Sequence, residues 1–141
     1  TGRYPGVNIY VEADRSFIFE ANPLEWELVT HNLVKNACEA CQNVEHPTVR
    51  VELEYTAVDK VRLKVADNGQ NLSDENFARL AQPLSVKDEG LGLGLQIVRG
   101  VAESYGGRLH FVRNMTRGLT AVVDIDQSLT LAQHNETDKH G

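Results

Sequence analysis

A long segment early in the chain repeats apolar and polar positions with the period of an α-helix. Its opening, Asn22-Pro23-Leu24-Glu25, is typical of a helix start, because asparagine can cap, proline suits the first turn, and Glu25 can return a hydrogen bond to the cap. The apolar positions fall on one face, namely Trp26, Val29, Leu33, Ala37 and Ala40. The pattern predicts an amphipathic helix from Asn22 to about Gln42, with polar positions along one edge of its apolar stripe: Asn32, Asn36 and Glu39.

Four further segments alternate with the period of half-buried β-strands. Val49 to Tyr55 and Val61 to Val65 flank a turn and are expected to be antiparallel neighbours. Arg108 to Val112 and Leu119 to Ile125 flank a second turn and are expected to close the same sheet. The first two of these strands are predicted to present one apolar face to the long helix.

Shorter patterns complete the expected fold. Two β-prone runs, Val7 to Val11 and Ser16 to Phe19, predict an opening hairpin. A short helix is expected from Ser73 to Leu80, capped by the serine. Another helix is predicted to begin near Leu95 and to stop at Gly106-Gly107.

The composition is that of one compact domain. The 141 residues are 41% hydrophobic, which is enough for one sizeable core. A formal net charge of -6 argues against nucleic acid or an anionic membrane as a partner. No apolar run approaches the roughly 20 residues of a membrane span. We expect a soluble, cytoplasmic domain over residues 1–126, followed by a polar, disordered tail over residues 127–141.

The cysteines carry little functional signal. Cys38 and Cys41 lie three residues apart in the long predicted helix, with no second pair at metal-ligand spacing. We expect two reduced, partly buried thiols, and a redox or metal role is the alternative.

Two carboxamides, Asn32 and Asn36, lie four residues apart and therefore one above the other on the edge of the long helix. A carboxamide oxygen is a hard, neutral ligand of the kind that Mg²⁺ accepts beside substrate phosphates and water. Two solvated polar residues on an amphipathic helix would give the same pattern.

A second candidate segment, Asp67-Asn68-Gly69-Gln70-Asn71, follows a predicted strand. A carboxylate beyond a strand end can accept the exocyclic amine of adenine, and Gly69 lets the backbone come close to a base. An ordinary Asn-Gly turn is the alternative explanation.

A third segment alternates glycine and leucine from Gly90 to Leu95 and leads into a helix. Glycines there let backbone N–H groups converge on an anion beside the positive helix end, and Lys87 can add a charge for outer phosphates. The segment is not a dinucleotide-binding fingerprint, which requires Gly-x-Gly-x-x-Gly after a strand. It is not a P-loop, because no Gly-Lys-Ser/Thr follows.

Together, these motifs resemble the catalytic domain of sensor histidine kinases. The ordered set extends through Tyr105-Gly106-Gly107-Arg108 and Gly118-Leu119-Thr120, so the resemblance covers about Val7 to Asp126. It implies a two-layer α/β (α+β) sandwich, in which helices back a mixed, mostly antiparallel sheet and a lid closes over ATP. The implied activity is transfer of the ATP γ-phosphoryl group to a histidine.

The resemblance also implies roles for individual residues. The family's magnesium ligand falls on Asn36, Asn32 lies beside the phosphates, and Asp67 reads adenine. The lid glycines fall on Gly90, Gly92 and Gly94, and Thr120 lies near the base. With Lys87, the catalytic set is Asn32, Asn36 and Lys87. The remaining nucleotide contacts are expected at Gly69, Asn71, Leu91, Leu93 and Leu95.

Two features separate this chain from its superfamily. Topoisomerase, mismatch-repair and chaperone ATPases typically carry a glutamate where this chain has Asn32, and a carboxamide cannot act as a general base, so transfer is favoured over hydrolysis. Asn71 replaces a second glycine of the family pattern, and asparagine is the side chain that best tolerates a left-handed backbone.

The phosphoacceptor is expected on another domain. None of the five histidines is followed by the acidic residue and proline that mark the family's acceptor; they are His31, His46, His110, His134 and His140. The implied partners are ATP with Mg²⁺, a histidine-bearing dimerisation domain and a response regulator, with a monomeric fragment inside a homodimeric protein. A non-catalytic nucleotide-sensing module and a serine kinase or ATPase of the same superfamily are the alternatives.

Overall fold

A computed structural model of the chain describes residues 6–13, 21–57, 59–81 and 92–126. Its elements follow in the order β1 (Asn8–Ala13), α1 (Pro23–Ala40), β2 (Thr48–Ala57), β3 (Lys60–Asp67), α2 (Asp74–Ala81), α3 (Gly92–Ser104), β4 (Arg108–Arg113) and β5 (Leu119–Asp126). Several predictions fall outside the described residues: the strand at 16–19, Lys87, Gly90, Leu91 and the tail at 127–141.

The strands form one mixed sheet, in the order β1-β2-β3-β5-β4. β1 runs parallel to β2, and the other three pairings are antiparallel. The predicted fold class is therefore confirmed. The pairing of β1 with β2 was not predicted, since a period-two pattern identifies a strand without identifying its neighbour.

The helices cover one face of this sheet. Alternate strand residues point toward α1 and α3 and build the core, including Val49, Leu63, Val65 and Val123, each at most 2% exposed. The opposite face carries cross-strand ion pairs, such as Arg62–Asp124 at 2.7 Å. None of the described helices is long and apolar enough to cross a membrane.

The start of α1 is tied to the end of α3 through a hydroxyl group. Asn22 caps the helix as predicted, with its Oδ1 accepting the Leu24 N–H at 2.9 Å. Glu25 does not return a bond to the cap directly. The backbone N–H of Asn22 donates to the Tyr105 hydroxyl at 2.8 Å, and that hydroxyl donates to Glu25 Oε1 at 3.1 Å. The predicted capping box is thus corrected to a relay across two helices.

The third helix begins earlier than predicted. α3 starts at Gly92, so Gly92 and Gly94 belong to its first turn, where the predicted lid loop was expected to continue. At the other end, Gly106 takes a φ of 73° and the Gly107 N–H bonds back to the Ala102 carbonyl at 2.9 Å, which confirms the predicted stop.

The cysteines are more deeply buried than expected. Cys38 and Cys41 are free thiols with no exposed surface, and burial raises the pKa of each.

Candidate functional site

A cavity of about 150 Å³ lies between α1 and the sheet. The described part of its wall is mostly apolar, with three polar side chains: Asn36 from α1, Asp67 at the end of β3, and Gln70 just beyond it. Leu95 closes it from the first turns of α3. Three segments that are far apart in sequence, each singled out by its motif, therefore meet at one cavity.

Asp67 is a buried carboxylate at the base of this cavity. It is 7% exposed, and its Oδ1 accepts the Gly69 N–H at 2.8 Å and the Leu119 N–H at 3.4 Å. Burial raises the pKa of Asp67, and these two backbone N–H groups only partly offset that rise. Among the described residues both hydrogen bonds reach the same oxygen, which leaves Oδ2 suited to a donor from a ligand.

Two glycines pack directly against Asp67. A Cβ on Gly69 would lie 2.5 Å from the Ala40 carbonyl oxygen and 2.9 Å from Asp67 Oδ1. A Cβ on Gly118, where φ is 91°, would lie 2.1 Å from the Asp67 carbonyl oxygen. The requirement at Gly69 is therefore close packing, whereas the sequence suggested backbone flexibility. Gly118 was not among the predicted site residues.

The two carboxamides of α1 have different surroundings. Asn36 lines the cavity, as an oxygen ligand near a nucleotide must. The Nδ2 of Asn32 donates to the Leu28 carbonyl at 2.8 Å, and its Oδ1 faces the first turn of α3. A Cβ on Gly94 would lie only 2.7 Å from that oxygen, so a side chain at position 94 would displace the Asn32 carboxamide.

Thr120, which the resemblance assigned to the base, is not among the described residues that line the cavity. Leu119 and Ala121 line the cavity, and Thr120 between them points to the opposite face. There its hydroxyl donates to Asn114 Oδ1 at 2.5 Å. The sequence held the signal for Leu119, which shares its face with the core positions Val123 and Ile125.

Asn71 also lies outside the cavity wall. It is exposed, and its φ is not positive, so the left-handed backbone considered from the sequence is absent here. Its Oδ1 instead accepts the Gly118 N–H at 3.0 Å.

A second, larger groove of about 540 Å³ lies between α2, α3 and β4. Aromatic and aliphatic side chains line it together with charged residues, including Phe77, Arg99, Glu103, Arg108 and His110. Among the described residues, none of the predicted nucleotide or magnesium contacts lines this groove. The smaller cavity is thus the one that joins the predicted site residues.

The sequence pattern of one protein family, described as "Histidine kinase-, DNA gyrase B-, and HSP90-like ATPase", matches residues 21–129. The chain belongs to this family. The match includes α1, the Asp67 loop and the whole of α3, and therefore every described residue of the cavity.

Within this ATPase family, the chain is similar to sensor proteins. It is 32% identical to the sensor protein FixL of Bradyrhizobium diazoefficiens over 101 residues, which are 71% of this chain and 20% of FixL. It is 36% identical to the C4-dicarboxylate transport sensor protein DctS of Rhodobacter capsulatus over 113 residues, 77% of this chain and 15% of DctS. The chain thus spans a fifth or less of the length of these two relatives.

Solved structures agree with the assignment. The catalytic domain of the histidine kinase ThkA superposes with a TM-score of 0.71 at 25% identity, covering 89% of this chain and 81% of that domain. A structure of ThkA in complex with the response regulator TrrA gives a TM-score of 0.67 at 25% identity, covering 86% of this chain and 34% of ThkA. The chain corresponds to the ATP-binding catalytic domain of sensor histidine kinases.

Proposed function

We propose that this domain binds Mg²⁺·ATP at the cavity described above and passes the γ-phosphoryl group to a histidine on a dimerisation domain. The observation that supports this most is the meeting of Asn36, the buried Asp67 and the amino end of α3 at one cavity.

The cavity suits the base of the nucleotide. Its volume of about 150 Å³ is below the ~300–1,000 Å³ of pockets that hold whole drug-sized ligands. The flat adenine base would therefore enter the cavity, and the ribose and phosphates would lie outside it. Apolar side chains from α1 and β5 would contact the ring faces. The carboxylate of Asp67 would accept the exocyclic amine of adenine, whereas guanine presents a carbonyl in that place and would be repelled.

The phosphates would lie toward Asn36 and α3. The first turn of α3 would offer backbone N–H groups and a partial positive charge to an anion. Asn36 fits Mg²⁺, because this ion takes one or two protein oxygens and completes its octahedron with phosphate and water. When bound, Mg²⁺ would neutralise charge on the phosphates. Lys87, Gly90 and Leu91 remain proposed contacts from the sequence.

Asn32 favours transfer over hydrolysis. A carboxamide cannot remove a proton from water, and its Nδ2 is already held by the Leu28 carbonyl. The residue can orient the first turn of α3, so the contribution of the protein is positioning and charge stabilisation. The proposed partners are a histidine-bearing dimerisation domain and a response regulator, in a cytoplasmic setting.

The test is incubation of the domain with γ-labelled Mg²⁺·ATP and the histidine-bearing helical domain from the same full-length protein. Acid-labile, base-stable label on that domain is the expected result. Tight nucleotide binding without label would favour a nucleotide-sensing module, and acid-stable label would indicate a serine kinase; either result would overturn the proposal.

A further inference from the structure

The loop that carries Asp67 is joined to the turn between β4 and β5 by three side chains. Asn71 Oδ1 accepts the Gly118 N–H at 3.0 Å. Asn114 Nδ2 donates to the Asp67 carbonyl at 2.9 Å. Arg117 Nε donates to the Gly69 carbonyl at 3.2 Å.

We call Asn71, Asn114 and Arg117 the clasp. Each of its bonds crosses at least 47 positions of sequence, so the clasp holds together two segments that chain connectivity leaves independent.

One bond of the clasp acts next to the carboxylate. Gly118 packs so closely on Asp67 that a Cβ there would lie 2.9 Å from Asp67 Oδ1. The following N–H, on Leu119, donates to that same oxygen at 3.4 Å. A bond that fixes the Gly118 peptide therefore also fixes the position from which Leu119 holds the carboxylate.

We infer that Asn71 is a positioning residue for base recognition, holding the Gly118–Leu119 backbone so that the Asp67 carboxylate is aimed into the cavity. This inference rests on the proposed nucleotide function. Asn71 is exposed and does not line the cavity, so it acts through Gly118 and not by touching the base. The geometry also accounts for a side chain at this position, because a glycine would supply no acceptor for the Gly118 N–H.

The same loop offers a matched control. Asn68 also bridges the loop to another segment, with its Oδ1 accepting the Thr48 N–H at 2.8 Å and its Nδ2 donating to the His46 carbonyl at 2.9 Å. Those bonds reach the start of β2 and leave Gly118 untouched. A variant at Asn68 therefore removes loop bonds of the same kind without acting on the Gly118–Leu119 backbone.

The experiment measures the affinities of the whole domain for Mg²⁺·ADP and Mg²⁺·GDP by calorimetry in the parent and three variants, with melting temperatures recorded alongside. Asn71→Gly should weaken ADP binding by about threefold to tenfold, the loss expected for one hydrogen bond, and should lower the ADP-over-GDP preference by a similar factor. Asn68→Ala should lower the melting temperature and keep the preference. Asn71→Asp retains the acceptor and should keep most of the preference.

The outcomes separate this inference from the proposed function. If the parent prefers ADP and Asn71→Gly keeps that preference, Asn71 is only a surface residue and the inference is wrong while the proposed function stands. An equal loss of the ADP-over-GDP preference in Asn68→Ala would show that general loosening of the loop causes the loss. That result would also overturn the inference about Asn71. A parent that binds neither nucleotide would defeat the proposed function, and the inference with it.

Discussion

The side-chain oxygen of Asn32 lies 2.7 Å from the point where a Cβ on Gly94 would sit. A side chain at position 94 would therefore displace the Asn32 carboxamide from its place beside the first turn of α3. Elsewhere, the start of α1 and the end of α3 are joined by the Tyr105 hydroxyl between Asn22 and Glu25. The two helices thus contact each other at both ends of α3.

Gly94→Ala should displace the Asn32 carboxamide from its place beside α3. The displaced side chain would lose its bond to the Leu28 carbonyl, at a cost of about 0.5–1.5 kcal/mol, so we expect weaker Mg²⁺·ATP binding and less stabilisation than alanine normally gives in a helix. Gly100→Ala is the control on the same helix, because a Cβ there meets nothing within 4 Å. It should stabilise the domain by up to about 1 kcal/mol through helix propensity alone. Equal effects of Gly94→Ala and Gly100→Ala on nucleotide affinity, measured by calorimetry, and on stability, measured by urea unfolding, would contradict a special role of the Asn32–Gly94 contact.

Asp67→Asn should separate stability from binding. Burial raises the pKa of Asp67 in the folded protein above its unfolded value, so the stabilising contribution of the protonated form is lost as pH rises through that raised pKa. The neutral variant avoids the cost of the buried charge. We expect a higher melting temperature than the parent near about pH 7, a smaller difference near about pH 4, and loss of the ATP-over-GTP preference. A lower melting temperature near neutral pH would count against this account.

Tyr105→Phe should remove the relay between the two helices. The Asn22 N–H and the Glu25 carboxylate each lose a partner, while the ring stays packed against Trp26, whose centroid is 5.3 Å away. We expect a loss of about 1–2 kcal/mol in the free energy of unfolding by urea titration. Tyr10→Phe, at a side chain that is 49% exposed, should change the value little. A Tyr105→Phe variant as stable as the parent would show that the relay contributes nothing.

Asn36→Ala should abolish the dependence of ATP affinity on Mg²⁺ and leave the fold intact. The side chain lies at the cavity and supplies the proposed oxygen ligand. Lys35→Ala, at the exposed neighbouring position, is the control and should keep the magnesium dependence. The ATP affinity of each variant, measured with magnesium and with a chelator, distinguishes the two substitutions. If Asn36→Ala keeps the magnesium dependence, Asn36 is not a magnesium ligand.

The sequence predicted most elements, because their patterns are local. The cap at Asn22, the period of α1 and the alternation of β2, β3, β4 and β5 each depend on neighbouring residues. The parallel partner of β1 and the place of β5 between β3 and β4 depend on contacts between distant segments, so no local period specifies them.

The motifs identified three segments that meet at the cavity but not every contact there. Leu119 was missed in favour of Thr120, although the strand period places Leu119 on the inner face. The relay through Tyr105 and the bond from Asn71 to Gly118 cross 80 and 47 positions of sequence, so only the folded chain reveals them. Gly69 and Gly94 were identified as glycines of functional interest, yet the reason at each is a close contact from another element.

Nucleotide binding at the shared cavity is tested most directly by an amide NMR titration of the domain with Mg²⁺·ADP. The largest shifts are expected on Gly69 and Leu119, which hold Asp67, and on Leu95 in α3. Shifts confined to the larger groove at Phe77, Arg108 and Leu109 would place the nucleotide elsewhere and contradict the claim that one cavity joins Asn36, Asp67 and α3.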